Sequence, residues 1–316
     1  MYMKCAYGVD VGGTAIKIGL IEEDGRIIKK WEIPTRTDES GSKVLPDIAA
    51  FIRGIRTENA EGIDIIGIGL GVPGPVDGNG MVLTSANLHW EEPIDAAGIL
   101  SEMLDDTEVR VANDANAAAL GEAWMGAGDG SSDTVMVTLG TGVGGGVIHQ
   151  GRIYTGVDGA AGEIGHLCVN PAEKVRCNCG RHGCLEQYAS ATGIVRLATE
   201  VLSGTTENSV LRQRPISAKS VWDAVKEGDE PAIEVAERFG HYLGWGLALV
   251  AGVINPDVYV IGGGMSSAGE VILPYIEKNY RAMALPAASN ARVCLAALGN
   301  DAGILGAARL MLQDEA

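Results

Sequence analysis

The chain has 316 residues, a hydrophobic content of 46% and a formal net charge of −17, which suits one large domain or two domains with an ample core. The acidic balance argues against nucleic acid or an anionic membrane as a partner. Since the chain lacks a run of 18 apolar residues and enters a strand without a signal peptide, we expect a soluble cytoplasmic protein whose six cysteines are thiols or metal ligands.

The first predicted element is a strand, a glycine-rich reversal and a second strand in the stretch VDVGGTAIKIGL. Gly12 and Gly13 lie at the reversal, where glycine lets backbone N–H groups approach a ligand closely. Thr14 adds a hydroxyl, Lys17 a cation, and Asp10 a carboxylate suited to Mg²⁺. Together these groups suit the phosphates of a nucleotide. The alternative is a hairpin turn that needs positive φ, and this stretch alone does not decide between the two.

The same strand pattern occurs again at 136–159, which indicates two related halves. Two apolar strands that end in glycine clusters, at 63–77 and 256–276, form a second matching pair. Apolar residues at helical spacing predict helices over Val44–Ile55, Ala115–Trp124, Gly193–Leu202, Ala232–Val253 and Ala302–Leu312. Strands that alternate with helices predict α/β layers with mixed sheets. The polar stretch 203–220 is predicted as a surface loop.

Two glycine clusters match the G-x-G-x-x-G pattern without the context of a dinucleotide site. The cluster that starts at Gly69 contains prolines, and the cluster that starts at Gly140 runs into a strand. A Rossmann fingerprint has to open a helix and have an acidic partner about 20 residues later. We therefore expect a different kind of nucleotide cradle.

A candidate catalytic carboxylate lies in VRVANDANAAALGEAW, where a short strand is followed by an alanine-rich helix. Asn113 and Asp114 fall at this junction. One interpretation is a helix N-cap, a role in which Asp is among the preferred residues. The other is a general base that accepts a hydroxyl proton during phosphoryl transfer. Beside a phosphate cradle, we favour the second role for Asp114.

A cysteine cluster gives the most specific local signal. Cys177, Cys179 and Cys184 fall within eight residues, and His166 precedes them by eleven. Three thiolates and an imidazole suit tetrahedral Zn²⁺, and four protein ligands predict a structural metal. The alternatives are free thiols in a loop and His182 as the fourth ligand, which fits less well because it lies inside the tight loop. The remaining cysteines are predicted to be buried thiols: Cys5, Cys168 and Cys294.

Six motifs, taken together and in this order, resemble the ROK family of sugar kinases over nearly the whole chain. They are DVGGTAIK, GVPGPVD, NDANAAALGE, TLGTGVGGG, GEIGH and CNCGRHGCLE, at 10–17, 71–77, 113–122, 138–146, 162–166 and 177–186. The resemblance implies an actin/hexokinase-like (ribonuclease H-like) duplicated fold, with two α/β domains and a cleft between them. It also implies ATP-dependent phosphorylation of the 6-hydroxyl of D-glucose, with Asp114 as the base.

The resemblance implies further roles, residue by residue. Sugar contacts are implied for Gly74, Asn87, Asn113, Asp114, Glu163, His166 and Glu186. Nucleotide contacts are implied for Asp10, Gly12, Gly13, Thr14, Lys17, Gly140, Thr141, Gly142, Gly262, Gly263 and Gly264. The implied cofactors are ATP, Mg²⁺ and a structural Zn²⁺ held by His166, Cys177, Cys179 and Cys184, with the second ring nitrogen of the histidine facing the sugar.

The predicted domains are a small one over 1–113, completed by a C-terminal helix at 301–316, and a large one over 114–300 that carries the zinc loop. Family members are commonly dimers or tetramers, so a homodimer or homotetramer is expected. Other sugars of the family, N-acetylglucosamine, N-acetylmannosamine and fructose, remain alternatives, as do polyphosphate and ADP as donors. A sugar-sensing repressor is less expected, because the first phosphate loop starts at residue 10 and leaves no room for a winged helix-turn-helix.

Overall fold

The structure, a computed structural model, describes residues 2–56 and 62–313. Predictions that extend over residue 1, residues 57–61 or residues 314–316 lie in part outside the described residues. The strands are β1 Met3–Val11, β2 Ala15–Glu22, β3 Ile27–Pro34, β4 Ile63–Val72, β5 Val109–Asn113, β6 Thr134–Leu139, β7 Val143–His149, β8 Arg152–Ile153, β9 Val258–Gly262 and β10 Arg292–Leu295. The α-helices are α1 Val44–Arg56, α2 Ala96–Met103, α3 Asp114–Met125, α4 Glu186–Ala189, α5 Ala191–Gly204, α6 Ala218–Lys226, α7 Glu230–Ala251, α8 Leu273–Met283 and α9 Ala302–Leu312.

The strands form two five-stranded sheets with the same topology. The first sheet has the order β3-β2-β1-β4-β5, with antiparallel pairing among β1, β2 and β3 and parallel pairing of β1 with β4 and of β4 with β5. The second has the order β10-β9-β6-β7-β8, which read backwards repeats the first. This confirms the predicted duplicated α/β fold. The edge strand β8, which corresponds to β3 of the first sheet, has two residues where β3 has eight.

The helices predicted from apolar spacing are all present, and several others were missed. Helices α2, α4, α6 and α8 had no predicted counterpart, and α6 begins at Ala218, inside the stretch predicted as a surface loop. Its first turn carries a capping box, in which Ser217 and Ser220 exchange side-chain and backbone hydrogen bonds. A capping box with serine at N3 departs from the usual Glu or Gln, so the start of this helix is hard to recognise in the sequence.

The described residues divide into two compact units. Unit 1 contains the described residues through Ser132, together with Gly146–Ala161 and the described residues from Leu298 onward; unit 2 contains Asp133–Gly145 and Gly162–Ala297. In unit 1 the first sheet packs against α1 and α2 in one core cluster, while α9 contributes to a second. In unit 2 helix α7 packs against α5, α6 and α8. None of the described helices has the length and apolar run that crossing a bilayer requires.

Helix α9 approaches the first sheet closely because the strands beneath it carry glycines. A Cβ added at Gly8 of β1 would lie 1.9 Å from the carbonyl oxygen of Ile304, and one at Gly69 of β4 would lie 1.6 Å from that of Ala307. A side chain at either position would displace helix backbone. These glycines therefore serve helix packing, which agrees with the exclusion of a dinucleotide fingerprint around Gly69.

Candidate functional site

The predicted site residues fall into two sets, one in each unit. In unit 1, parallel pairing places the carboxyl ends of β1, β4 and β5 at one edge of the sheet. Asp10 pairs with Gly71, and Val72 pairs with Asn113. Asp114 follows β5 directly and begins α3. The register therefore brings Asp10 and Asp114 to the same edge, where α/β sheets commonly bind ligands.

The junction of β5 and α3 settles which residue caps the helix. The side chain of Asn113 accepts hydrogen bonds from the backbone N–H groups of Ala115 and Asn116, at 3.0 and 3.1 Å. Its Nδ2 donates to the carbonyl oxygen of Gly74 and to Oδ1 of Asp114, at 2.9 and 3.0 Å. Asn113 is thus the N-cap, and the capping interpretation of Asp114 is wrong. The same amide fixes the Asp114 carboxylate and the loop at Gly74.

Both carboxylates are half-buried, and the protein makes their ionisation harder. Burial raises the pKa of Asp114, and the negative charge of Asp10 raises it further, against hydrogen bonds from Ala115 and Asn113. Burial also raises the pKa of Asp10, partly offset by the positive charge of Lys17 opposite it on β2. A carboxylate with a raised pKa at a ligand-binding edge is suited to accept a proton.

The glycines of the first loop do not serve a turn that needs positive φ, so that alternative is wrong: neither Gly12 nor Gly13 is among the described residues with positive φ. A Cβ at Gly12 would lie 2.9 Å from the carbonyl oxygen of Ala15, so a tight hairpin requires glycine there. Thr35 holds this hairpin through a 2.6 Å hydrogen bond to the Gly12 carbonyl oxygen. Gly13 and Thr14 are exposed, and a Cβ at Gly13 would contact Asn87 at 3.7 Å.

In unit 2, the second glycine loop lies beside the loop that follows β9. Thr138 pairs with Gly262, so β6 and β9 end together. Gly263 has φ +81, and a Cβ there would lie 2.6 Å from the Leu139 backbone. The two loops line a cavity of about 600 Å³, within the range of ligand sites. Its lining residues are Gly140, Thr141, Ala191, Ala218, Lys219, Trp222, Asp223, Lys226, Gly264, Met265, Ser267 and Ala268.

Helix α6 supplies one wall of this cavity, and the sequence reasoning missed it. Lys219, Trp222, Asp223 and Lys226 all lie on this wall. Trp222 is fully buried, and its indole Nε1 has no hydrogen-bond partner among the described residues. The signal that was available is the amphipathic run from Ala218 to Lys226 after the serine cap.

The four predicted metal ligands converge in unit 2. One ring nitrogen of His166 and the three Sγ atoms of Cys177, Cys179 and Cys184 all lie within 4.8 Å of one another. The Sγ atoms of Cys179 and Cys184 are 3.6 Å apart, and Nδ1 of His166 is 3.9 Å from Sγ of Cys177. The alternative ligand His182 instead forms a backbone bridge with Arg176. This set is suited to hold a metal ion, with one ring nitrogen of the histidine left for another partner.

Protonation of the cysteines depends on burial. Burial raises the pKa of Cys177 and raises that of Cys184 to about 12, whereas the backbone N–H of Arg181 lowers the pKa of Cys179. Since only thiolates bind metals, ion binding here has to displace protons. Of the cysteines outside the cluster, Cys5 is buried and Cys294 half-buried, but Cys168 is exposed, so its prediction as a buried thiol is wrong.

Two glutamates flank this cluster. Glu186 begins α4, and its Oε2 accepts a 3.0 Å hydrogen bond from the backbone N–H of Val143. Its other oxygen lies 3.8 Å from Sγ of Cys177. Glu163 is exposed and precedes a short 3-10 turn that carries His166. The loop that carries the four candidate metal ligands, His166–Cys184 (the metal loop), and the second glycine loop, 140–142, therefore meet at Glu186.

Comparison with known proteins gives consistent results. A family model described as the ROK family matches residues 6–314. A glucokinase from Halalkalibacterium halodurans is 42% identical over 98% of this chain and 95% of its own length. Among solved structures, a ROK hexokinase from Thermus thermophilus has a TM-score of 0.80 and 33% identity, covering 96% of each chain. A ROK family glucokinase from Streptomyces griseus, in complex with glucose and AMPPNP, has a TM-score of 0.70 and 36% identity, covering 97% of this chain and 98% of its own.

Proposed function

This chain belongs to the ROK family, and on that premise we propose that it is a glucokinase, which transfers the γ-phosphoryl group of ATP to the 6-hydroxyl of D-glucose. The near full-length similarity to a glucokinase at 42% identity supports the choice of sugar. The observation that carries the chemistry is Asp114, a half-buried carboxylate whose orientation Asn113 fixes at the end of β5.

The proposed reaction needs one base and two substrates in line. Asp114 accepts the proton of the 6-hydroxyl while that oxygen attacks the γ-phosphorus of ATP. The bond between this phosphorus and the β,γ-bridging oxygen breaks, and ADP leaves. In such transfers most of the acceleration comes from positioning and from stabilising charge, and a general base typically adds about 10²- to 10⁴-fold.

We propose that the glycine loops hold the nucleotide. Residues 12–14 and 140–142 would present backbone N–H groups and threonine hydroxyls to the phosphates. The cavity beside Gly262–Gly264 would take the nucleoside, which favours ATP over polyphosphate. Asp10, a half-buried carboxylate near the end of β1, supplies the oxygen ligands that a divalent cation prefers. Bound Mg²⁺ would neutralise charge on the β- and γ-phosphates.

The sugar contacts are proposals on the same premise. Asn87, Glu163, His166 and Glu186 would bind sugar hydroxyls. Asn113 would act by holding Gly74 and Asp114 in place, since its own amide is already engaged by the protein.

The metal proposed for the Cys₃His cluster is zinc. At a Zn–S distance of 2.3 Å, tetrahedral geometry places two sulfur ligands about 3.8 Å apart, close to the 3.6 Å between Cys179 and Cys184. Four protein ligands leave no position for substrate, so zinc would order the loop that carries His166 and Glu186. The free cysteines suit a reducing compartment, and we propose a cytoplasmic homodimer or homotetramer.

The test is an ADP-release assay with MgATP over glucose, N-acetylglucosamine, N-acetylmannosamine, mannose and fructose. We expect glucose to give the highest kcat/KM and Asp114→Asn to lose about 10²-fold or more in kcat. The matched control is Asp64→Asn, which makes the same change at an exposed position at the start of β4. A preference for another sugar would refute the glucose assignment, and an active Asp114→Asn would refute the base.

A further inference from the structure

A carboxylate outside the proposed sugar contacts lies at the centre of a closed hydrogen-bond network in the metal loop. Oε1 of Glu173 accepts from the backbone N–H groups of Lys174 and Val175, each at 2.8 Å. Oε2 accepts from the Tyr188 hydroxyl at 2.6 Å and from the Arg196 guanidinium. The Glu173 side chain is 8% exposed. Against burial, these donors hold its pKa at about 2, so the group is ionised at neutral pH.

The network reaches the two residues that follow Glu186. Tyr188 donates to Glu173, and its ring stacks on Tyr242 with a centroid distance of 3.9 Å. Nε2 of Gln187 donates to the Val175 carbonyl oxygen at 2.9 Å. Helix α4 is a single turn of four residues, too short to hold its own orientation. The segment Glu173–Val175 therefore supplies contacts that α4 cannot make for itself.

We propose that Glu173 is a positioning residue, which sets the direction of the Glu186 carboxylate through the Tyr188 hydroxyl. The inference rests on the proposed function, in which Glu186 binds a sugar hydroxyl. One oxygen of Glu186 already accepts a hydrogen bond from the backbone N–H of Val143. A small rotation of α4 would therefore change the position of the other oxygen, which is the one left for a ligand.

A glutamine at position 173 cannot satisfy the same donors. The carboxylate faces two backbone N–H groups with one oxygen and a hydroxyl and a guanidinium with the other. In an amide, one of these oxygens becomes an NH₂ group, which has no lone pair to offer the donors it would face. Because the backbone N–H groups of Lys174 and Val175 belong to the same loop as residue 173, we expect the remaining amide oxygen to face them. The hydrogen bonds from Tyr188 and Arg196 would then be lost.

Arg196 offers a matched control. Its Nε also donates to Glu200 at 2.9 Å, and Glu200 is on the exposed surface of α5. Glu200→Gln removes a charged partner of the same arginine without touching Tyr188. Tyr188→Phe removes the hydroxyl, and with it the hydrogen bonds to Glu173 and from Asn170, but keeps the ring that stacks on Tyr242. These two changes separate loss of charge near Arg196 from loss of the bond to Tyr188.

The experiment measures kcat, the sugar KM, the MgATP KM and zinc content for the full chain and its three variants. We expect Glu173→Gln and Tyr188→Phe to lower kcat/KM for the sugar about 10- to 100-fold, as misplacement by about 1 Å does elsewhere. The MgATP KM and zinc content stay within twofold, and Glu200→Gln matches wild type.

A sugar kcat/KM that is unchanged in Glu173→Gln would overturn the proposal. So would equal changes in both KM values, or loss of zinc alongside the sugar effect, since each indicates a general structural role. If Glu173→Gln does not fold, Tyr188→Phe decides by the same criteria. Wild-type protein that phosphorylates no sugar refutes the proposed function itself, and this inference with it. Active wild type with an unaffected Tyr188→Phe refutes the inference alone.

Discussion

Replacing Cys179 with serine removes one of the four converging ligands and tests whether a metal stabilises unit 2. The observed separations of 3.6 and 3.9 Å are close to those of a tetrahedral site, so the proposed zinc would bind the wild-type cluster with little rearrangement. Loss of partners outside the ligand set commonly lowers metal affinity 10- to 100-fold, so we take about 100-fold as a minimum for a ligand. At saturating metal, this lowers stability by RT ln 100, about 2.7 kcal/mol.

A loss of that size lowers Tm by about 5 to 11 °C for a unit of roughly 150 residues. The assay is thermal unfolding of protein purified without chelator, together with metal analysis of the same sample. The control is Cys168→Ser, the same substitution at an exposed cysteine outside the cluster. Equal Tm values for the two variants, or wild-type protein that contains no zinc, would refute the reasoning.

Three further changes probe other parts of the site. A Cβ at Gly142 would lie 2.2 Å from Oε2 of Glu186, so Gly142→Ala should move that carboxylate by about 1 Å and lower the sugar kcat/KM about 10²-fold. The control Gly204→Ala, at a position with open space around it, should leave the kinetics unchanged. Equal kcat/KM values for the two variants would contradict the geometry. Because burial raises the pKa of Asp114, ionisation destabilises the fold as pH rises through that pKa. Asp114→Asn should therefore melt above wild type at neutral pH, and the difference should vanish below about pH 4; a Tm gap independent of pH would exclude this cause. Trp222 lines the cavity, so MgADP should change tryptophan fluorescence in wild type and not in Trp222→Phe.

Much of the site could be predicted because its residues are consecutive or closely spaced in the sequence. The close spacing of the three cysteines, with His166 eleven residues before them, predicted the candidate metal ligands that converge in the structure. The strand-to-helix junction at Asp114 was visible, but the cap could not be assigned, because only the hydrogen bonds of Asn113 distinguish the two residues.

What the sequence could not provide depends on contacts between distant segments. Trp222 lines the cavity only because α6 lies beside the glycine loops, and no local sequence pattern predicts that placement. Likewise, nothing in the sequence around Glu173 indicates that its carboxylate meets Tyr188 and Arg196, 15 and 23 residues later. Gly69 matched a cofactor fingerprint locally, yet its function is to admit α9.

The late position of α9 in the chain has a consequence for how the protein is made. Strands β1 and β4 present glycine backbone where α9 packs, and α9 begins at Ala302. During synthesis, the ribosome has to complete all of unit 2 before that helix exists. At about 5 to 20 residues per second, the apolar face around Ala6 and Ile21 waits roughly ten seconds or more for its cover. The chain therefore most needs protection from aggregation while unit 1 lacks α9. Unit 2 can finish folding before unit 1 does.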